Sequence, residues 1–206
     1  MTARLFLAGI VLTLFACGTA DTTSVRLDFR SVAAQQTELP IDEITVRVSG
    51  PGGDPVVASV PVSDLSMQLE VPPGQRLFEV LGQRTDLSAP RPTYFGDGIR
   101  RIAPQTPTDV LIPLFPAGQL LVFVNVADGT PPPDTNIRFV PQNPMPDQSA
   151  SYLAPFRFGR LERILPIGTY GVQAEVTFDG STYVTVGDEI TVTIEHGEVR
   201  VERIDI

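Results

Sequence analysis

The chain has 206 residues and a formal net charge of −9, with 24 acidic residues against 15 basic ones, all of them arginine. A net negative chain without a basic cluster is a poor nucleic-acid ligand, because neutralising the phosphate backbone supplies most of that affinity. One cysteine and one histidine exclude thiolate metal sites and the usual multi-histidine zinc or iron sites, and the lack of lysine excludes a Schiff-base enzyme or a P-loop.

The N-terminus opens with Met1 to Arg4, one positive charge, followed by the uncharged run Leu5 to Phe15. That run is shorter than the roughly 20 apolar residues needed to span a bilayer, so it reads as a secretory signal. Its end, Leu14-Phe15-Ala16-Cys17, resembles the bacterial lipobox. The resemblance implies a signal peptide over residues 1–16 and a lipidated, palmitate-bearing Cys17. A tether over 17–24 follows. Gly18 after the cysteine favours the outer membrane by the same resemblance. Ordinary cleavage after Gly18-Thr19-Ala20 is the alternative, and it would release a soluble protein.

Alternating apolar and polar residues then mark strands at Val25–Phe29, Ile44–Val48, Pro55–Val60, Met67–Val71, Leu77–Leu81, Tyr94–Ile102 and Asp109–Leu114. Pro113 to Gly118 reads as a boundary. Leu120, Val122, Val124 and Val126 alternate most clearly, and Asn136–Val140, Arg160–Leu165, Tyr170–Val176, Tyr183–Val186, Ile190–Ile194 and Val199–Ile204 complete the set. Asp179-Gly180 signals a tight hairpin. Pro141 to Pro155 reads as a long polar connection.

The halves repeat, since Val71-Pro-Pro-Gly74 and Leu165-Pro-Ile-Gly168 each precede a strand. This unit resembles the carboxypeptidase-regulatory-like (prealbumin-like) domains of bacterial envelope proteins. Tyr170 stands at that family's aromatic position, and Arg76 holds the place in the first half. The resemblance implies an all-β fold of two tandem, immunoglobulin-like or prealbumin-like antiparallel sandwiches, over residues 25–115 and 119–206, folding separately. It brings no catalytic residue and no cofactor.

His196 is the one residue able to serve a Ser-His-Asp arrangement, but no Gly-x-Ser-x-Gly elbow accompanies it and it reads as a turn residue. Asp97, Asp179, Asp188 and Glu189 could supply a glycosidase pair or, with Asp128 and Asp134, loop oxygens for calcium; turn chemistry is the simpler reading. Tyr94 and Phe95, and Tyr152 and Phe156, mark two candidate binding loops, or else rings folded back over the sheets. The expectation is a non-enzymatic membrane lipoprotein acting as spacer or protein-interaction unit, its partner another envelope protein. A glycan- or peptidoglycan-binding module is the alternative.

Overall fold

Residues that alternate in hydropathy build thirteen strands in the computed structural model, which describes residues 22–31, 41–61, 66–85, 92–125, 135–156, 160–177 and 183–205. Cys17, Val126, Asp128, Asp134 and Asp179-Gly180 lie outside the described residues. The strands are β1 (Thr23–Ser31), β2 (Glu43–Ser49), β3 (Val56–Pro61), β4 (Ser66–Val71), β5 (Gly74–Gln83), β6 (Pro92–Ile102) and β7 (Thr108–Asn125). β8 (Thr135–Pro141), β9 (Tyr152–Pro155), β10 (Arg160–Pro166), β11 (Gly168–Thr177), β12 (Tyr183–Ile194) and β13 (Val199–Asp205) follow. The fold is all-β.

One pairing scheme occurs twice. β1 lies antiparallel to β4 and parallel to the first part of β7; the second part of β7 lies antiparallel to β10 and parallel to β13. β2 sits between β3 and β5, and β5 pairs β6; β8 sits between β9 and β11, and β11 pairs β12. Each half therefore has a three-strand and a four-strand layer. The expectation of purely antiparallel layers needs correcting, because the β1–β7 and β7–β13 ladders are parallel. Side-chain alternation is the same in both kinds of ladder, so the pattern could not distinguish them.

Each core lies between its two layers. In the first half Val25, Leu27 and Phe29 of β1 and Val110, Ile112 and Leu114 of β7 face Ile44, Val46, Phe78 and Val80. In the second, Leu120, Val122 and Val124 face Ile137, Phe139, Tyr170 and Val172. Every set is spaced by two, and each fully buried large side chain contributes about 1.5–3 kcal/mol.

The interval expected as a break, Pro113 to Gly118, lies inside β7. Proline lacks an amide donor and is confined to edges, strand ends or changes of pairing. Pro113 and Pro116 flank the place where β7 leaves β1, meets β6 at Tyr94–Pro116 and Phe95–Phe115, and passes to β10 and β13. Here the prolines mark a change of partner. Gly118 is required for close approach: a Cβ there would lie 2.3 Å from the Glu195 carbonyl oxygen. The β12–β13 turn is bonded on at that point, Gly197 N–H to Ala117 at 2.9 Å and Gln119 N–H to Glu198 at 2.8 Å.

Candidate interaction surface

Neighbouring residues on a strand point to opposite faces, and at Tyr94-Phe95 both faces are covered. Tyr94 is buried in the first core and Phe95 in the second. Tyr152 and Phe156 are buried in the second core as well. The four rings singled out as binding-loop residues are thus packing groups: Tyr94, Tyr152 and Phe156 fill the core of their own half, and Phe95 is covered by the other half. Tyr94, Phe95 and Tyr152 also lie on strands β6 and β9, and β9 occupies the end of the stretch expected to be irregular.

The rings are stacked in a chain. Phe95 meets Tyr152 edge-on at 6.1 Å, and Tyr152 meets Tyr170 at 6.3 Å. The Arg163 guanidinium lies 5.6 Å over the Phe95 ring. On the other side of β6, Tyr94 meets the His196 ring at 5.5 Å. His196 is exposed at the tip of the β12–β13 turn, with this contact as its anchor.

Polar groups join the halves around these rings. Arg163 on β10 pairs with Glu79 on β5 at 3.0 Å. Ser149 donates to both carboxylate oxygens of Asp97, at 2.9 and 3.0 Å. Burial raises the Asp97 pKa, although the Ser149 bond and the Arg163 charge pull it down. Burial also raises the Tyr152 phenol, with the Asp97 charge adding to it. Gln148 and the Ser149 backbone lie close enough to favour the phenolate, yet neither meets hydrogen-bond geometry on the Tyr152 hydroxyl. Tyr170 is raised by burial first and by Tyr152 next, and its hydroxyl accepts from Gln148 at 3.0 Å.

The acids considered for chemistry are scattered. Asp97 is on β6 at the junction, whereas Asp188 and Glu189 are exposed on β12, where Glu189 accepts from Gln173 at 2.5 Å. No group of three metal-ligating side chains occurs among the described residues. Glu79, Ser149 and Arg163 had no sequence signal beyond being polar. Beside them a groove of about 270 Å³ runs between Thr45, Arg47 and Leu81 of the first half and Glu162 and Ile164 of β10.

No protein-family model matches the chain, and no curated protein matches it. Among solved structures it is similar to a leucine-rich repeat protein from Bacteroides thetaiotaomicron, at 10% identity and a TM-score of 0.51, over 90% of this chain and 26% of that one. The chain thus spans about a quarter of that protein. A putative adhesin from Bacteroides ovatus is similar over 84% of this chain and 76% of its own, at 12% identity and a TM-score of 0.35. A streptococcal ancillary pilin is similar over 89% and 68%, at 10% identity and 0.31. The first likeness is one of fold alone. The other two are too loose to argue from.

Proposed function

We propose that the chain is a non-enzymatic envelope lipoprotein, anchored through Cys17 at the outer membrane and serving as a stiff spacer or protein-interaction unit. The observation that carries this reading is the Tyr94-Phe95 pair. Two adjacent residues of one strand belong to two cores, so the halves cannot swing without unpacking one of them. Stiffness is what a spacer requires, and the twofold seven-strand scheme supports the resemblance to tandem prealbumin-like domains. Glycan sites need exposed rings, and the four candidate rings are buried.

The anchor is tested by mass spectrometry of the protein from its native membrane. A peptide starting at Cys17 should carry the acyl mass, and Cys17→Ser should release the protein from the membrane fraction. An unmodified N-terminus at Asp21 would sink the lipoprotein reading.

A further inference from the structure

β6 and β7 are paired only at Tyr94–Pro116 and Phe95–Phe115. At Gly96 they still touch, since a Cβ there would lie 2.2 Å from the Pro113 carbonyl oxygen. Beyond it no ladder joins them, and a slot of about 770 Å³ opens toward Asp147 and Ser149. β6 is paired along its other side to β5 and β7 to β1, so each turns an unpaired edge to the slot. The Leu111 carbonyl points into it, because the Arg100 guanidinium reaches that oxygen at 3.4 Å. Alternation along the strand places the Leu111 N–H and the backbone groups of Asp109 on the same side.

Bare strand edges invite pairing, and folds block them with proline, short strands or bulges. β3 and β10 end on Pro61 and Pro166, and β9 has four residues and ends on Pro155. β12 carries Gly187 at φ 73 beside a register shift. At the slot the block is a single exposed side chain, Arg100, whose hydrogen bonds go to the Ile99 and Leu111 carbonyls.

We infer that the slot is a strand-addition site for an extended, basic segment of a protein partner. The inference rests on the interaction-unit reading and names its surface. Asp97, Asp109 and Asp147 line the slot against one cation, Arg100, so a basic occupant is favoured. A second copy of this chain, at net charge −9, is disfavoured. Ile99 and Leu111, 58% and 39% exposed, offer apolar contacts between the charges. The incoming main chain replaces the Arg100 guanidinium on the Leu111 carbonyl and takes the free N–H groups of Asp109 and Leu111. Pro113, with no N–H, ends the site, leaving Thr108 to Ile112, about 17 Å of edge, for roughly five residues.

The test uses the full chain and a five-residue peptide of alternating arginine and valine. Its controls are a glutamate-for-arginine peptide and an N-methylated copy that keeps the charge but lacks backbone donors. The arginine peptide should bind at least tenfold more tightly than either control and slow amide exchange at Asp109 and Leu111 at least tenfold. Asp109→Asn and Asp147→Asn should weaken binding severalfold, Asp54→Asn in an exposed turn that does not line the slot should not, and Arg100→Ala should strengthen it. Equal binding of the N-methylated peptide, or unchanged exchange at Asp109 and Leu111, would mean adsorption by charge and would overturn the proposal, as would no binding. None of these results touches the lipid on Cys17, so the anchor reading stands or falls separately.

Discussion

Arg76 and Tyr170 do the same job in the two halves. Each lies two residues after the glycine that opens its strand, and each donates a hydrogen bond to the carbonyl four residues upstream. Arg76 Nε reaches Pro72 at 2.9 Å and Tyr170 Oη reaches Pro166 at 2.7 Å. The arginine adds bonds to the Pro73 and Pro51 carbonyls, at 2.8 and 2.9 Å. A guanidinium with several donors thus takes the place of a phenol with one, and ties down a turn containing two prolines.

Tyr170→Phe should therefore cost about 1–2 kcal/mol, the loss of its neutral hydrogen bonds to the Pro166 carbonyl and from the Gln148 amide, whereas Arg76→Ala should cost about 2–3 kcal/mol. Arg76→Tyr should fall between wild type and Arg76→Ala. Denaturant unfolding of the three variants checks the order, and an Arg76→Ala cost below that of Tyr170→Phe would contradict it.

Glycine positions separate two causes of strain. Gly74 and Gly168 have φ of 109° and 144° with no heavy atom closer than 3.9 Å to an added Cβ, so Gly168→Val should cost about 1–3 kcal/mol through the backbone alone. Gly118→Ala meets the Glu195 carbonyl and should be worse, because main chain must move. Gly53→Ala, in open space, should be neutral. In thermal melts Gly118→Ala should unfold lowest, Gly168→Val next, and Gly53→Ala with the wild type.

Phe95→Ala should remove about 3–5 kcal/mol from the second core, although the residue sits on a first-half strand. Amide exchange in β11 should speed up accordingly. By the same reasoning residues 119–206 expressed alone, lacking Phe95 and Ala117, should fold poorly, and the whole chain should melt in one transition. Two separated calorimetric transitions would restore the expectation of independently folding units.

Asp97 gives a pH dependence whose sign is fixed by its raised pKa. The native state holds this proton more tightly than the unfolded one, so the group costs nothing at pH values below its ordinary range. The penalty appears as pH rises through that range and is complete above the raised value. Asp97→Asn, still able to accept from Ser149, should gain stability relative to wild type as pH rises from about 3 to 7. A difference that stays flat, or shrinks with pH, would refute the buried-carboxylate account.

His196→Ala should cost no more than about 0.5–1.5 kcal/mol, the value of its edge contact with Tyr94. Any hydrolase activity in a purified sample should be unaffected by it; a hundredfold loss would return His196 to the catalytic candidates.

The strands themselves were legible because each core position repeats at a spacing of two, as in Leu120, Val122 and Val124. Gly74 and Gly168 were legible because a glycine after proline at a strand start has a local backbone cause. Tyr94 and Phe95 read equally as binding or packing rings for a long-range reason: nothing near them in the chain says that β9 and β10 come to cover the far face of β6. Pro113 and Pro116 were read as a stop because proline ends most ladders, and only the pairing shows β7 exchanging neighbours there. The Asp97–Ser149 and Glu79–Arg163 contacts join residues 52 and 84 positions apart, beyond any local pattern.

The two parallel ladders also decide how the molecule bears a load. Tension between its ends draws β1 toward one end and β7 toward the other, along neighbours joined at seven register positions from Val25–Thr108 to Ser31–Leu114. In the second half β7 and β13 are drawn apart in the same way across seven more, from Gln119–Val199 to Asn125–Asp205. Both ladders are loaded in shear, so their hydrogen bonds must yield together, whereas a hairpin pulled open at one end loses them one at a time. Because β7 runs through both, a pull on either end passes along a single unbroken strand.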